Sequence, residues 1–228
     1  MVTRIAWRPA YRLIDSRFPF VGIFDRIAAA DDLEALIAIE SLTNERILDE
    51  AGILALVRPE DRVSGPGTTP VMAAFTHTRA SRFSDGTFGV FYASRRRETA
   101  IAEVRHHKAR FLAATHEPSI DLDMRLYAAD VSGRFEDARD LAVDNPIYDR
   151  EAYDVSQRFA RKHYIANRVD GIVYRSVRDA RPGGECIAAF RPRCVANCVT
   201  AAYIAFRWDG TAITEAYLKS EMMRFDEP

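Results

Sequence analysis

Within the window His77–Glu103 (HTRASRFSDGTFGVFYASRRRETAIAE) an arginine, a tyrosine and a glutamate stand about ten residues apart. Arg82 sits just before Ser84-Asp85-Gly86, a turn signal. Tyr92 lies in a strand-like run, and Glu103 in a segment rich in helix formers. A loop guanidinium, a strand phenol and a helix carboxylate spaced in this way can meet in one cleft after two chain reversals. Glu103 is surrounded by Ile101, Ala102 and Val104. It is therefore either an exposed helix glutamate paired with Arg97 or Arg105, or a carboxylate drawn into a pocket at a desolvation cost. Ser176 closes the run DGIVYRSV between Arg175 and Arg178. A serine at a strand end either hydrogen-bonds a ligand hydroxyl or phosphate, or caps the following loop. It is not a nucleophile elbow, because the G-x-S-x-G context is missing.

Familiar cofactor devices are not written in the chain. His106 and His107 are adjacent and would point to different faces of a helix. The sequence contains no H-E-x-x-H, no G-x-x-x-x-G-K-[ST] and no G-x-G-x-x-G, so a metal is not expected, and a nucleotide would need some other cradle. Cys186, Cys194 and Cys198 lack the His or Cys pair that would complete a zinc set, and they read as small buried thiols.

The elements that must position these residues follow from the apolar pattern. Residues 25–57 read as helical, with Asp31 or Asp32 as a cap, an apolar face of Leu33, Leu36, Ile37, Ile39 and Leu42, and a surplus of acids. The stretch SGPGTTP (64–70) is loop chemistry. The runs 71–77 and 87–94 read as strands. Segment 97–113 reads as a helix with Ile101, Val104, Lys108 and Phe111 on one stripe. Residues 119–131 alternate as a half-buried strand, 153–168 form a second helix, and 170–177, 186–192 and 199–208 are further strands. Trp-Asp-Gly-Thr (208–211) reads as a hairpin turn. Strict strand–helix alternation is missing, so the α+β class fits better than a doubly wound sheet. One domain over 1–228 is expected, with a helical N-terminal region at 25–61 and a core at 70–208.

Hydrophobic residues at 48% and charged residues at 29% exclude a disordered chain. The 32 basic and 33 acidic residues leave a net charge of -1, which argues against direct nucleic-acid binding. No apolar run reaches the roughly 20 residues of a membrane span, and the first residues lack a signal-peptide core, so a cytoplasmic location is expected.

Taken in order, WRPAYRLIDSR, SRFSDGTFGVFYAS, ETAIAEVRHH and DGIVYRSVRDARPGGECIAAFRP resemble the RES-domain family across residues 5–195. The match makes Arg82, Glu103 and Ser176 the arginine, glutamate and serine that name the family. It also aligns Tyr92 with its strand tyrosine and Arg12 with the arginine of its first motif. Two departures stand out: the acidic stretch at 25–61 is long, and SRFSDG replaces a GGRWN-like segment. The resemblance implies an ADP-ribosyltransferase-like core of short strands with flanking helices. It implies a toxin of a bacterial toxin–antitoxin pair that breaks the nicotinamide–ribose bond of NAD, as a glycohydrolase or phosphorylase. An Xre-like antitoxin would be its partner.

The residue types suit that reaction. Breaking the bond develops positive charge on the ribose while a neutral nicotinamide departs, so a fixed carboxylate helps and no general acid is needed. Glu103 takes that role, and Arg82 and Arg12 offer planar forks for the pyrophosphate. Tyr92 would stack on nicotinamide, and Ser176 would hydrogen-bond the ribose or a phosphate. Two other readings stand beside this one. The first is transfer of ADP-ribose to a protein or nucleic acid. The second is a non-catalytic module that docks a partner through its acidic N-terminal helices and the basic stretch 95–110. The oligomeric state, a homo-oligomer included, is left open.

Overall fold

The chain opens as a strand. Strand β1 (Val2–Asp15) buries Ile5 and Trp7, and a register irregularity around Pro9 shifts the buried positions to Ala10 and Leu13. Proline cannot donate to a ladder, so an irregular point is where it is tolerated. The computed structural model describes residues 1–16, 22–25, 32–41 and 46–219.

The helical N-terminal region expected at 25–61 resolves into two short helices, α1 (Leu33–Ser41) and α2 (Arg46–Ala51), and two 3-10 turns, Leu54–Leu56 and Pro59–Asp61. Asp25 lies in a turn rather than a helix, and Asp31 and Leu42 lie outside the described residues. Asp61, 3% exposed, sits against Arg191 (3.4 Å) and Arg193 (3.1 Å) and so ties this region to the far end of the sheet.

The expected strand at 71–77 is instead helix α3 (Thr69–Thr76), with Pro70 in its first turn. A short apolar run does not distinguish a buried strand from a buried helix, and here the flanking proline decides. Val71, Met72 and Phe75 turn inward. Asp25 accepts the Thr69 N–H at 2.6 Å, fixing the helix start. Helix α3 also shortens the next strand. A Cβ at Gly89 would lie 2.2 Å from the Phe75 Cα, so residues 87–90 run as a loop pressed against α3. After the small hairpin β2 (Ala80–Ser81) and β3 (Ser84–Asp85), strand β4 covers only Phe91–Ser94. The Ser84-Asp85-Gly86 turn forms as its residue types require: Gly86 has φ 96°, and Asp85 accepts from Thr87 N and Oγ1.

Helix α4 (Arg97–Thr115) follows, then β5 (Ile120–Asp137), α5 (Asp154–Ala166), β6 (Gly171–Arg175), β7 (Glu185–Ala189), β8 (Val195–Trp208) and β9 (Ile213–Lys219). The order β1-β4-β7-β6-β5-β8-β9 is antiparallel except for β5–β6, and β1 also pairs with β5. Five strands thus close a ring, and β8 and β9 extend it as a wing. The α+β class stands, with a large, mostly antiparallel sheet. The expectation of short strands is corrected: β1 and β8 have 14 residues and β5 has 18. Strand β5 is long because one edge serves β1 while the other serves β8 and then β6.

Three apolar clusters cover the sheet. The N-terminal helices and α3 pack on Trp7, Phe91 and Phe135; α5 packs over Phe83, Ile172 and Phe190; α4 packs on Leu122, Met124, Phe206 and Trp208. Of the stripe expected on α4, Ile101 and Val104 pack against the sheet and Lys108 pairs with Asp15, but Phe111 is 51% exposed and Leu112 takes its buried place. No helix among the described residues is long and apolar enough to cross a membrane.

Candidate active site

One face of α4 carries Ala100, Glu103, Val104 and His107. Across from it stand β1 with Tyr11 and Arg12, β4 with Tyr92, and the β2–β3 hairpin with Arg82. Together they enclose a cavity of about 380 Å³, completed by Tyr153 and Tyr174.

Glu103 is held there by the residue that follows β6. Ser176 Oγ donates to Glu103 Oε1 at 2.6 Å, and the same oxygen accepts from Arg178 N (3.1 Å) and Asp179 N (2.9 Å). The serine's one proton is therefore committed to Glu103, and its lone pairs to the turn behind it. Of the two readings the sequence gives Ser176, ligand contact or loop cap, the cap is present, and the serine's one proton goes to the Glu103 carboxylate. Asp179 continues the network: Thr99 Oγ1 donates to its Oδ2 at 2.6 Å, and Arg181 pairs with its Oδ1 at 2.6 Å. Bonds from Arg181 and Thr99 hold the Asp179 carboxyl below its ordinary range.

Tyr92 is equally fixed. Its hydroxyl meets Ser81 Oγ at 2.8 Å and accepts from Phe83 N at 2.9 Å, and burial pushes its pKa up to about 12. The ring, not the hydroxyl, is what it offers the cavity. Arg82, 8% exposed, donates Nη1 to the carbonyls of Ile147 (3.0 Å) and Asp149 (2.7 Å) and lies 4.7 Å from the Tyr153 ring centroid. It thus builds the wall that carries Tyr153.

Arg12 differs from these. Its Nη1 donates to Tyr92 O at 3.1 Å and its guanidinium lies over Phe91, but its Nε is buried without a partner. No carboxylate pairs with it among the described residues, and burial lowers its pKa, with Cys198, Tyr127 and Tyr92 opposing. Arg12, Ile14, Ser81 and Tyr92 also line a second cavity of about 530 Å³, which reaches Thr69, His77 and Arg79. The two cavities form one cleft with Arg12 at the junction.

Arg82, Tyr92, Glu103 and Arg12 therefore share one cleft, and Ser176 touches it through Glu103. Sequence reasoning missed Tyr153, Tyr174 and His107. Tyr174 is two residues from Ser176 on the same run, which was its one available signal. Desolvation, then Arg178 and Arg82, lower the His107 pKa, so its ring is neutral near pH 7. The Cys186 thiol, in the cavity wall, is pushed well up by burial and is unreactive there. Among the described residues no group of three His, Cys, Asp or Glu side chains could hold a metal.

Fold and cleft together define a mixed α/β protein whose candidate site combines a pinned carboxylate with arginines and aromatic walls. The chain belongs to the RES-domain family: the RES domain model matches residues 59–209. It is 31% identical over 209 residues, 91% of this chain and 86% of the relative, to "Uncharacterized protein y4oC" of Sinorhizobium fredii (strain NBRC 101917 / NGR234). The RES family is linked to toxin–antitoxin systems.

Proposed function

We propose that this cleft binds NAD and breaks its nicotinamide–ribose bond, on a core of the ADP-ribosyltransferase type. One observation carries the reading: Glu103, pinned through a single oxygen, lines the same cavity as the Tyr92 ring, with Arg12, half-buried and paired with no described carboxylate, at the junction to a second cavity.

A half-buried cation with one nitrogen shut off from water and no described counterion is costly unless a ligand supplies one. A pyrophosphate at Arg12 does so, and the cavities on either side take the two nucleosides. In the smaller one the Tyr92 and Tyr174 rings wall the nicotinamide and exclude water. No described residue donates to Glu103 Oε2, which leaves that oxygen for the ribose, where positive charge grows as neutral nicotinamide leaves. Water completes the reaction to give ADP-ribose and one proton. Phosphate or a macromolecular nucleophile in its place gives phosphorolysis or ADP-ribosyl transfer by the same first step. In the cell the protein would be the toxin of a pair, restrained by an Xre-like antitoxin.

The test is nicotinamide release from NAD by the purified protein. Glu103→Gln keeps the bond from Ser176 but removes the charge, and release should fall about 10²–10³-fold while the unfolding midpoint stays put. Wild-type turnover in that variant would reject the assignment. Free ADP-ribose, its phosphate, or label retained on macromolecules then identifies the acceptor.

A further inference from the structure

Helix α4 has a second polar face. Opposite the cleft, Arg105 and His106 meet Arg150, from the loop before α5, and Arg178, just beyond Ser176, around a hollow of about 400 Å³. Ala212 and Ile213 complete its wall. The Arg178 side chain is only 8% exposed. Its Nη2 donates to Arg150 O at 2.6 Å, but its Nε is buried without a partner, as is His106 Nε2.

Charge is as unbalanced as hydrogen bonding. Arg105 and Arg150 have no ion-pair partner among the described residues. Glu151 is divided between Arg110 at 2.7 Å and Arg178 at 3.6 Å. Buried donors are almost always satisfied in native folds, by protein, water or an ion. Grouped guanidinium groups repel one another unless an anion lies between them, and their planar forks match the spacing of phosphate oxygens.

We propose that this hollow is a binding site for a phosphate-class oxyanion, held by Arg105, Arg150 and Arg178 with His106. The ligand is either free phosphate or the terminal monoester of a small metabolite. The site is separated from the cleft by the width of α4 and does not depend on the reading given to that cleft. An anion here anchors Arg178, whose backbone N–H already holds Ser176, and so stiffens the turn behind Glu103.

Calorimetric titration with inorganic phosphate and with ribose 5-phosphate, at constant ionic strength, tests this. Wild-type protein should bind at least one of them saturably. The double variant Arg105→Gln/Arg150→Gln removes two exposed side chains that hold nothing else, and it should bind roughly a hundredfold more weakly, about tenfold per charge-assisted bond. Arg12→Gln should bind as wild type does. Tighter binding of ribose 5-phosphate assigns the site to a monoester, and equal binding assigns it to free phosphate. Absence of saturable binding, undiminished affinity in the double variant, or loss in Arg12→Gln would each overturn the proposal; the last would put the anion in the larger cleft.

Discussion

The two faces of α4 solve opposite problems with similar side chains. On the cleft face Glu103, Ser176, Asp179 and Thr99 satisfy one another, and the carboxylate is held in a single pose. On the opposite face His106 and Arg178 keep buried nitrogens that no described residue satisfies. A reacting group gains from being fixed in advance, because any rearrangement adds to the barrier. A binding group gains from being left open, since the ligand then completes it. One helix carries both, and the turn 176–179 is the piece they share.

Ser176→Ala breaks the cleft side of this contrast most sharply. It frees Glu103 and strips the acceptor from Arg178 N and Asp179 N. Nicotinamide release should fall about 10²-fold with little change in KM, since misplacement of a reacting group acts on kcat. Stability should fall by about 1–3 kcal/mol for the unmet backbone donors. Steady-state kinetics beside thermal unfolding separates the two effects: a stability loss at unchanged kcat would leave the serine a loop cap only.

Asp179→Asn gives a smaller effect that depends on pH. The folded carboxyl is held below its unfolded value near 4. Its contribution is therefore complete above about pH 4 and is lost as pH falls through the lower folded value. Unfolding midpoints measured from pH 7 to pH 3 should drop for wild type and drop less for the variant. Parallel curves would show that the Thr99–Asp179–Ser176 network contributes nothing to the folded state. The smallest effect belongs to the other face. Arg105→Gln in phosphate-free buffer should raise the unfolding midpoint by about 1 °C, because it relieves repulsion and breaks no pair. A fall would mean that Arg105 holds something within the protein.

Much of this arrangement could be read from the chain. Helices α4 and α5, the strands on either side of them and the turns at Gly86 and Gly210 follow from periodicity and turn chemistry. The approach of Arg82, Tyr92 and Glu103 follows from their spacing. Strand β1 was hidden because its alternation, clear at Ile5 and Trp7, breaks near Pro9 and resumes out of step at Ala10 and Leu13. Helix α3 was hidden because Val71–Phe75 is apolar on every side. Ser176 was legible as a site residue, but its partner was not: that pairing depends on how β6 is set against α4, a tertiary fact that no local pattern encodes. The hollow behind α4 was invisible for the same reason, its four nitrogen-bearing side chains coming from three separate segments.

The closed ring has a consequence for how the protein comes into being. Val2 lies opposite Glu136, and β7 sits between β4 and β6. Arg12, on β1, must wait for β4 and β5 before its strand has its partners. A nascent polypeptide halted short of Glu185 already carries the carboxylate, the phenol and both arginines of the cleft, yet the gap between β4 and β6 stands open. Strand β1 can already pair with β5, and α4 can already reach Asp15 through Lys108, but the ring closes only when β7 fills that gap.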